Sequence, residues 1–337
     1  MTTEVAPLAR PRVLSGMRPT GALHLGHYHG ALKNWVRLQA THDCFYFVAD
    51  WHALTTHYQD REEIERNVYD MVVDWLAAGI DPEQATLFIQ SRLPEHAELF
   101  TLLAMSTPSS WLERIPSYKD QVEKNRELAT YGFLGYPLLQ AADILIYKAG
   151  FVPVGEDQTA HVEVTREVAR RFNRIYSPAQ AILPEPQALL TETSRLSGLD
   201  GQKMSKSAGN AIAMRDAPAV VEHKIRTMAT DPQRVRRSDA GEPSRCPVWP
   251  LHQLYTDAAT CADLAAGCRT AGIGCLDCKQ PLIEAIQQEQ APWRERANEY
   301  LANPKQVHWI VEVGAERARA VARKTLREVR SAMGLAY

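Results

Sequence analysis

The sequence predicts an α/β fold, with a parallel sheet and its helices in the first part of the chain and a mostly helical part after it. Short continuous apolar runs alternate with helical patterns as far as residues 160–172. A loop rich in glycine, serine and lysine then occupies residues 198–210. Beyond this loop only helical patterns remain, so we place a domain change near residue 210.

The first three predicted strands are runs of apolar residues. Val13-Leu14 is a short run that leads into a tight turn, and the runs at 44–49 and 85–89 suit strands buried on both faces. Helical spacing of apolar residues begins at His27 and again at 61–76. Strand, helix, strand, helix and strand in this order indicate a parallel sheet.

The middle of the chain continues this alternation. A helix is predicted over 137–147, with Pro137 in its first turn, and a short strand over 152–155. A helix over 160–172 and a proline-rich loop over 177–186 follow. After the domain change, helical patterns lie at 217–228, 261–266, 281–302 and 307–333.

The composition is that of an ordinary globular protein, since 45% of the 337 residues are hydrophobic and 23% are charged. No run of about eighteen apolar residues predicts a membrane span, and residues 1–10 lack the apolar segment of a secretory signal. We therefore expect a cytoplasmic protein with no membrane partner. The net charge of -2 is mild evidence against nucleic-acid binding. Only a local basic patch favours such binding. The best such patch comprises Lys224, Arg226, Arg234, Arg236 and Arg237.

Two histidines lie where the first strand and turn lead into a helix. His24 and His27 flank Gly26, which lets a ligand approach the backbone closely. Free backbone N–H groups and the positive end of the helix dipole suit an anionic phosphate, and two imidazoles can donate hydrogen bonds to it. The alternative is a surface helix that carries two histidines without a ligand.

A second constellation lies far along the chain, in the glycine-flanked loop. Lys203 and Lys206 are three residues apart, with Met204, Ser205 and Ser207 beside them. A mobile loop of this kind can close over a triphosphate and stabilise the charge that develops during the reaction. The alternative is a basic loop that is merely solvated.

The pair HLGH (24–27) and KMSKS (203–207), in this order, resembles the two signatures of class I aminoacyl-tRNA synthetases. The resemblance covers almost the whole chain, and it is closest to bacterial tryptophanyl members that carry an iron–sulfur cluster. The stretches most similar to those members are SGMRPTGALHLGH (15–27), FVADWHA (47–53), YPLLQAAD (136–143) and VPVGEDQTAHVEVTR (152–166).

The resemblance implies an architecture and an activity. The domains would be a Rossmann-type catalytic domain over 1–209 with a dimer-interface insertion at about 105–135, a helical anticodon-binding domain over 210–305 and a C-terminal helix over 306–337. The implied enzyme is a homodimer that activates L-tryptophan with ATP and Mg²⁺, releases pyrophosphate and transfers tryptophan to the 3′ end of tRNA(Trp). The tryptophan carboxylate would attack the α-phosphorus, so no side-chain nucleophile is needed.

Catalytic and ATP-binding roles follow from the same resemblance. His24, His27, Lys203 and Lys206 would stabilise the developing charge. Arg18 departs from many relatives, which have glutamine there, and Lys119 is a weaker candidate for a phosphate contact. The implied ATP-binding residues are Arg18, Pro19, Thr20, Gly26, His27, Gly155, Glu156, Asp157, Leu196, Lys203, Met204, Ser205, Lys206 and Ser207.

The implied tryptophan site centres on Asp143, which would accept a hydrogen bond from the indole N–H. A buried carboxylate in this role rejects phenylalanine, because phenylalanine would leave it unpaired. The alternative for Asp143 is a helix carboxylate paired with a structural arginine. The implied companions of Asp143 are Tyr136, His52, Gln158 and Val154.

Four cysteines have the number and spacing of a metal site. Cys268, Cys275 and Cys278 are close together, and Cys246 precedes them. Four thiolates suit either a tetrahedral Zn²⁺ or a [4Fe-4S] cluster, and the spacing does not separate the two. The resemblance favours the cluster. Cys261 is an alternative ligand that lies inside a helical stretch.

Three rival functions have different signatures. A tyrosine-specific synthetase would be expected to carry a hydroxyl-reading tyrosine where Leu14 and Met17 stand. A nucleotidyltransferase that forms an adenylate without tRNA would lack the long helical half. An RNA-binding module derived from a synthetase would have lost the signature residues, which are intact here.

Overall fold

The structure, a computed structural model, describes residues 10–59, 61–155, 158–190, 196–206 and 208–337. Its centre is a parallel sheet of five strands in the order β3-β2-β1-β4-β5. The α/β prediction is therefore confirmed. The strands are β1 (Arg12–Met17), β2 (Asp43–Val48), β3 (Ala85–Ile89), β4 (Phe151–Val154) and β5 (Gln187–Leu190).

Helices connect the strands and make up the C-terminal part. Those of the first part are α1 (Leu25–His27), which continues through a π-helical turn at Tyr28–Leu32 into α2 (Lys33–Leu38), then α3 (Asp50–His57), α4 (Arg61–Ala78), α5 (Glu95–Ala104), α6 (Ser109–Glu113), α7 (Pro116–Lys124), α8 (Tyr131–Ile146) and α9 (Thr159–Tyr176). The later helices are α10 (Pro218–Thr227), α11 (Trp249–Tyr255), α12 (Ala258–Arg269), α13 (Cys275–Ala302) and α14 (Pro304–Ala332). No helix among the described residues is long and apolar enough to cross a membrane.

One expectation about an individual element was wrong, and two elements were missed. Helix α8 begins at Tyr131 and continues through Pro137, which is not in its first turn. The Thr130 side chain accepts a hydrogen bond from the Phe133 backbone N–H and caps the helix earlier than the proline suggested. Strand β5 and helix α11 were not predicted. The strand QALL is only partly buried, and its pairing with β4 identifies it.

The sheet separates two apolar cores. One core packs β1, β2 and β3 against α2, α4 and α13, and it contains the stacked rings of Trp35 and Tyr46, with centroids 4.3 Å apart. The other core, on the opposite face, packs the sheet against α5, α8 and α9. All five residues of β3 are buried, as the continuous apolar run predicted.

Helix α14 returns to the sheet and covers its edge strand. Gly314 lies so close to β3 that an added Cβ would be 1.8 Å from the Leu87 carbonyl oxygen. Farther along α14, the Arg323 guanidinium donates to the Glu95 carboxylate at 2.9 Å. The end of the chain therefore protects an edge strand whose backbone groups would otherwise be open to pairing.

We expect Gly314→Ala to lower the free energy of unfolding by about 1–3 kcal/mol, because α14 must move away from β3 to admit a methyl group. Gly132→Ala is the matched control, since the nearest atom to its added Cβ is 4.0 Å away. Denaturant unfolding of both variants measures the difference. Equal stability of Gly314→Ala and the wild-type protein would contradict the close contact.

Candidate functional site

A cavity of about 450 Å³ opens at the carboxyl ends of β1 and β4. In a parallel sheet this is the usual place for a ligand, because neighbouring loops diverge there. Residues 15–18 and 152–155 form one side of the cavity, and α8 forms another. Asp143 lies in its wall, together with the predicted site residues Arg18, His27, His52, Tyr136 and Gln158. Val154 and Gly155 also line it.

The Asp143 carboxylate is fully buried and surrounded by donors. His52 Nε2 is 2.7 Å from its Oδ2, and His96 Nδ1 is 2.6 Å from its Oδ1. The Gln90 side-chain amide donates to both oxygens at 2.9 and 3.0 Å. The partners are two imidazoles and an amide, so the alternative of a structural arginine does not apply.

The charge state of Asp143 follows from these contacts. Burial alone raises the pKa of this carboxyl, but hydrogen bonds from His52 and His96 outweigh it and hold the pKa below its usual value. The second nitrogen of His96 is 2.7 Å from the Tyr147 hydroxyl, which is itself fully buried. The cavity wall therefore presents a fixed negative charge at neutral pH.

A second polar group lines the cavity from α8, two turns before Asp143. The Tyr136 hydroxyl is 2.7 Å from Ser117 Oγ and 3.0 Å from His161 Nε2. The rest of the wall is largely apolar. An added Cβ on Gly16 would fall 2.6 Å from the Phe47 ring, so glycine allows that ring to lie against the end of β1.

The two histidines of the first signature lie together at the start of the helical segment that α1 begins. His24 is the N-cap residue, its backbone N–H donates to His27 Nδ1 at 3.2 Å, and the two ring centroids are 3.7 Å apart. Burial, and then the charges of Lys206 and Lys203, lower the pKa of His24 to about 4. Both imidazoles are therefore neutral at pH 7, and they can donate to phosphate without carrying charge.

The lysine loop lies against this helix start. The Lys206 ammonium donates to the Gly21 carbonyl at 2.6 Å, whereas Lys203 is exposed. Met204 is buried, and its backbone N–H donates to the Leu196 carbonyl at 2.9 Å. The Ser205 N–H donates to the Asn210 side chain at 2.8 Å. The fold thus brings together the two signatures that are far apart in sequence.

Backbone bonds fix the two signatures to each other. The Leu25 N–H donates to the Ile212 carbonyl at 3.0 Å, and the Met214 N–H donates to the Leu23 carbonyl at 2.9 Å. Arg215 follows directly and donates to Asp74 at 2.5 Å. The segment that follows the lysine loop is therefore hydrogen-bonded to the first signature, whereas the Lys203 side chain in the loop is exposed.

The six cysteines are free thiols. Cys268 lies near the end of α12, Cys275 and Cys278 begin α13, and Cys246 precedes α11. Burial and, after it, the charges of the other three sulfurs of this set raise the pKa of Cys278 to about 12. In the described part of the chain, no group of three or more His, Cys, Asp or Glu side chains is arranged to hold a metal ion.

Some of the predicted site residues lie away from the cavity or outside the described ranges. Glu156, Asp157 and Ser207 are outside the described residues. Lys119 is exposed on α7 and does not line the cavity.

The predicted basic patch is smaller than expected. Lys224 pairs with Asp216, Arg226 pairs with Glu222, and Arg234 is buried beside Cys268.

The sequence did not single out four polar residues of the site. Gln90 and His96 hold Asp143, and Ser117 and His161 hold Tyr136. His161 lies within the stretch 152–166 that carried the resemblance, so its position there was a usable signal. No local pattern distinguishes the other three, because they meet the site only through the packing of different helices.

Comparison with known proteins supports one family. The sequence model of the family described as class I tRNA synthetases (W and Y) matches residues 7–289 of this chain. A tryptophan–tRNA ligase of Ralstonia nicotianae is 56% identical over an alignment of 395 positions, covering 97% of this chain and 99% of that protein. One from Thermotoga maritima is 51% identical, covering 97% of this chain and 100% of that protein. The crystal structure of a Campylobacter jejuni tryptophanyl-tRNA synthetase with ADP and tryptophan superposes with a TM-score of 0.86 at 34% identity, over 96% of this chain and 100% of that one.

Proposed function

We propose how this chain works from the premise that it belongs to the class I tRNA synthetases of the tryptophan and tyrosine family. Within that family it is a tryptophan–tRNA ligase, because relatives with that activity are more than half identical over nearly their full length. It activates tryptophan with ATP, releases pyrophosphate and transfers tryptophan to tRNA. ATP and Mg²⁺ are the expected co-substrate and cation of this class.

ATP would lie across the start of α1, with its phosphates between the two signatures. His24 and His27 would donate neutral hydrogen bonds, and Lys203 and Lys206 would supply positive charge. The short distance between the lysine loop and the turn before α1 supports this placement, since the Lys206 ammonium donates to the Gly21 carbonyl at 2.6 Å. As the bond between the tryptophan carboxylate and the α-phosphorus forms, the bond to pyrophosphate breaks, and these groups stabilise the charge that moves onto the leaving group. Arg18, Pro19, Thr20, Gly26, Gly155 and the Leu196 backbone complete the proposed ATP site.

Tryptophan would occupy the cavity with its indole N–H directed at Asp143. Three side chains already use the lone pairs of this carboxylate, and of these only His52 lines the cavity. We propose that the indole N–H takes the place of the His52 N–H on Oδ2. Gln90 and His96 would keep the carboxylate ionised and oriented meanwhile. Tyr136, Val154 and Gln158 would surround the rest of the substrate.

The adenylated tryptophan would then react with the terminal 2′-hydroxyl of tRNA(Trp), the acceptor that class I membership implies. The exposed Arg236 and Arg237 remain from the predicted basic patch as groups that can contact phosphates. A homodimer would form through the insertion at 105–135. Met105 and Tyr131 support this surface, because they are 70% and 75% exposed although both are apolar.

The four cysteines Cys246, Cys268, Cys275 and Cys278 would hold a [4Fe-4S] cluster, with Zn²⁺ as the alternative. The close approach of Gly241 to Cys268 supports this proposal. An added Cβ on Gly241 would lie 2.7 Å from Cys268 Sγ, so the backbone there leaves room for the sulfur. Such a centre would contribute iron–sulfur or zinc–thiolate bonds that fix the start of α13.

Tryptophan-dependent exchange of labelled pyrophosphate into ATP tests the activity, with tyrosine and no amino acid as controls. We expect exchange with tryptophan alone. In Asp143→Asn the amide offers donors where acceptors are needed, so kcat/KM for tryptophan should fall by about 10- to 100-fold. Asp120→Asn, an exposed carboxylate on α7, is the matched control. Exchange with tyrosine, or an unchanged Asp143→Asn variant, would overturn the substrate site, and no exchange at all would favour an RNA-binding module.

The charge of Lys206 predicts the pH dependence of ATP use. Burial lowers the pKa of Lys206 to about 8, so the ammonium is charged below that pH and loses its proton above it. Phosphate binding needs the charged form, and kcat/KM for ATP should therefore fall by about tenfold per pH unit above pH 8. Lys206→Arg should move this fall to higher pH, whereas Lys203→Arg, in the same loop, should not. Identical profiles for wild type and Lys206→Arg would contradict the assignment.

Metal and sulfide analysis of anaerobically purified protein tests the cysteine site. We expect about four irons and four sulfides per chain, or about one zinc in the alternative case. Cys278→Ser should lose most of this content, whereas Cys261→Ser should keep it. Wild-type protein that holds neither iron nor zinc would refute the metal centre.

A further inference from the structure

An imidazole links Asp143 to a buried hydroxyl. Asp143 lies on α8 and Tyr147 directly follows the last residue of this helix, so the two are one turn apart on the same face. His96 of α5 lies between them, with Nδ1 2.6 Å from Asp143 Oδ1 and Nε2 2.7 Å from the Tyr147 hydroxyl. All three side chains are fully buried. Each proton in this chain of hydrogen bonds therefore needs an acceptor within the protein.

The Tyr147 hydroxyl keeps its proton and donates it to His96. Burial, and then the negative charges of Asp143 and Glu95, raise the pKa of Tyr147 well above its usual value. Within the part of the chain that the structure describes, His96 Nε2 is the only hydrogen-bond partner of this hydroxyl. The hydroxyl proton is therefore directed at Nε2, and this nitrogen accepts it with a lone pair.

The acceptor role of Nε2 fixes the position of the proton on His96. A neutral imidazole has one N–H group, so a lone pair on Nε2 places the proton on Nδ1, which faces Asp143 Oδ1. The other tautomer would direct a lone pair of Nδ1 at the carboxylate. An imidazolium would leave the buried hydroxyl proton of Tyr147 without an acceptor.

The tautomer of His96 matters to Asp143 because it decides which of the two groups holds a proton. With a donor at Nδ1, Oδ1 accepts a hydrogen bond and the carboxyl stays ionised. Without the Tyr147 hydroxyl, neither tautomer is favoured by a partner at Nε2. A lone pair at Nδ1 would then draw a proton onto Asp143, and a protonated carboxyl is a poorer acceptor for a substrate N–H.

We propose that Tyr147 is a positioning residue for the selection of tryptophan: its hydroxyl fixes the tautomer of His96, and this tautomer keeps Asp143 an acceptor for the indole N–H. This inference rests on the tryptophan site proposed above. Tyr147 does not line the cavity, so it acts through His96 and not on the substrate. A purely structural role would have the hydroxyl only connect α8 to α5, and its loss would weaken the binding of every ligand alike.

Tyr147→Phe removes the hydroxyl and keeps the ring. The ring stacks on Phe45 with centroids 4.9 Å apart and packs against Phe88 at 5.5 Å, and both contacts remain in the variant. Tyr46→Phe is the matched control. Tyr46 is also fully buried and its hydroxyl also donates, to the Trp35 carbonyl at 3.0 Å, but it lies in the core on the other face of the sheet.

A pair of ligands isolates the recognition of the N–H group. Benzothienylalanine has a sulfur atom in place of the indole N–H and otherwise resembles tryptophan in size and shape. Isothermal titration calorimetry of the full-length protein gives the Kd of each ligand, and circular dichroism checks that each variant is folded. The selectivity ratio is the Kd of benzothienylalanine divided by the Kd of tryptophan.

We expect Tyr147→Phe to raise the Kd of tryptophan about tenfold and to change the Kd of benzothienylalanine by less than about twofold, because only tryptophan uses the acceptor. The selectivity ratio should therefore fall about tenfold. Tyr46→Phe should keep the wild-type ratio even if it lowers the stability of the protein.

A double-mutant cycle tests whether Tyr147 acts through His96. His96→Asn places an amide nitrogen near the position of Nδ1, and an amide has no tautomer for Tyr147 to fix. Adding Tyr147→Phe to His96→Asn should therefore leave the selectivity ratio unchanged within about twofold. A further tenfold fall in this background would show that Tyr147 acts by another route, and the inference would be wrong.

The outcomes separate this inference from the site on which it rests. If Asp143→Asn keeps the wild-type ratio, the carboxylate does not recognise the indole N–H, and both the tryptophan site and this inference are wrong. If Asp143→Asn loses the preference but Tyr147→Phe keeps it, only this inference is wrong. Equal weakening of both ligands by Tyr147→Phe would identify the structural role instead. Should His96→Asn fail to fold, the comparison of Tyr147→Phe with Tyr46→Phe decides.

Discussion

The burial of one carboxylate organises the catalytic half of this protein. Asp143 is fully buried, so donors must surround it if it is to remain charged. These donors come from α3, from the turn after β3 and from α5, and Asp143 itself lies on α8. Four elements are thereby required to meet at one point beside the cavity. The cavity therefore has a polar anchor in an otherwise largely apolar wall, which is the arrangement that a site for an aromatic amino acid with one N–H donor requires.

Helix α13 connects this catalytic half to the cysteine site. Its first turn carries Cys275 and Cys278, and farther along it Trp293 packs against Tyr28 with ring centroids 4.2 Å apart. Glu289 on the same helix is 3.1 Å from His29, directly after the signature histidines. Helix α13 therefore supports the π-helical turn that follows α1. The C-terminal half is thus part of the frame of the active site, and α14 completes that frame by covering β3.

Electrostatics divide the molecule into two kinds of site. Around the signatures, the histidines are neutral and Lys206 has a lowered pKa. The negative charge that balances the lysines there would come from the phosphates of ATP. Around the cysteines, the buried guanidinium of Arg234 approaches the Cys268 sulfur to 3.9 Å.

The sequence by itself determined the first four strands, the two signatures and the set of four cysteines, because local patterns of apolar, glycine, histidine, lysine or cysteine residues identify each of them. The full burial of β3 was predicted from a run of five residues of which four are apolar and one is Thr86. Only the tertiary structure decided which groups hold Asp143, since Gln90 and His96 are brought to it by the packing of separate elements. Only the tertiary structure removed Arg234 from the predicted basic surface and placed it against Cys268. A local pattern fixes the conformation and exposure of a segment within a few residues, whereas the partner of a buried charge depends on chain segments that are distant in sequence and meet only in the folded protein.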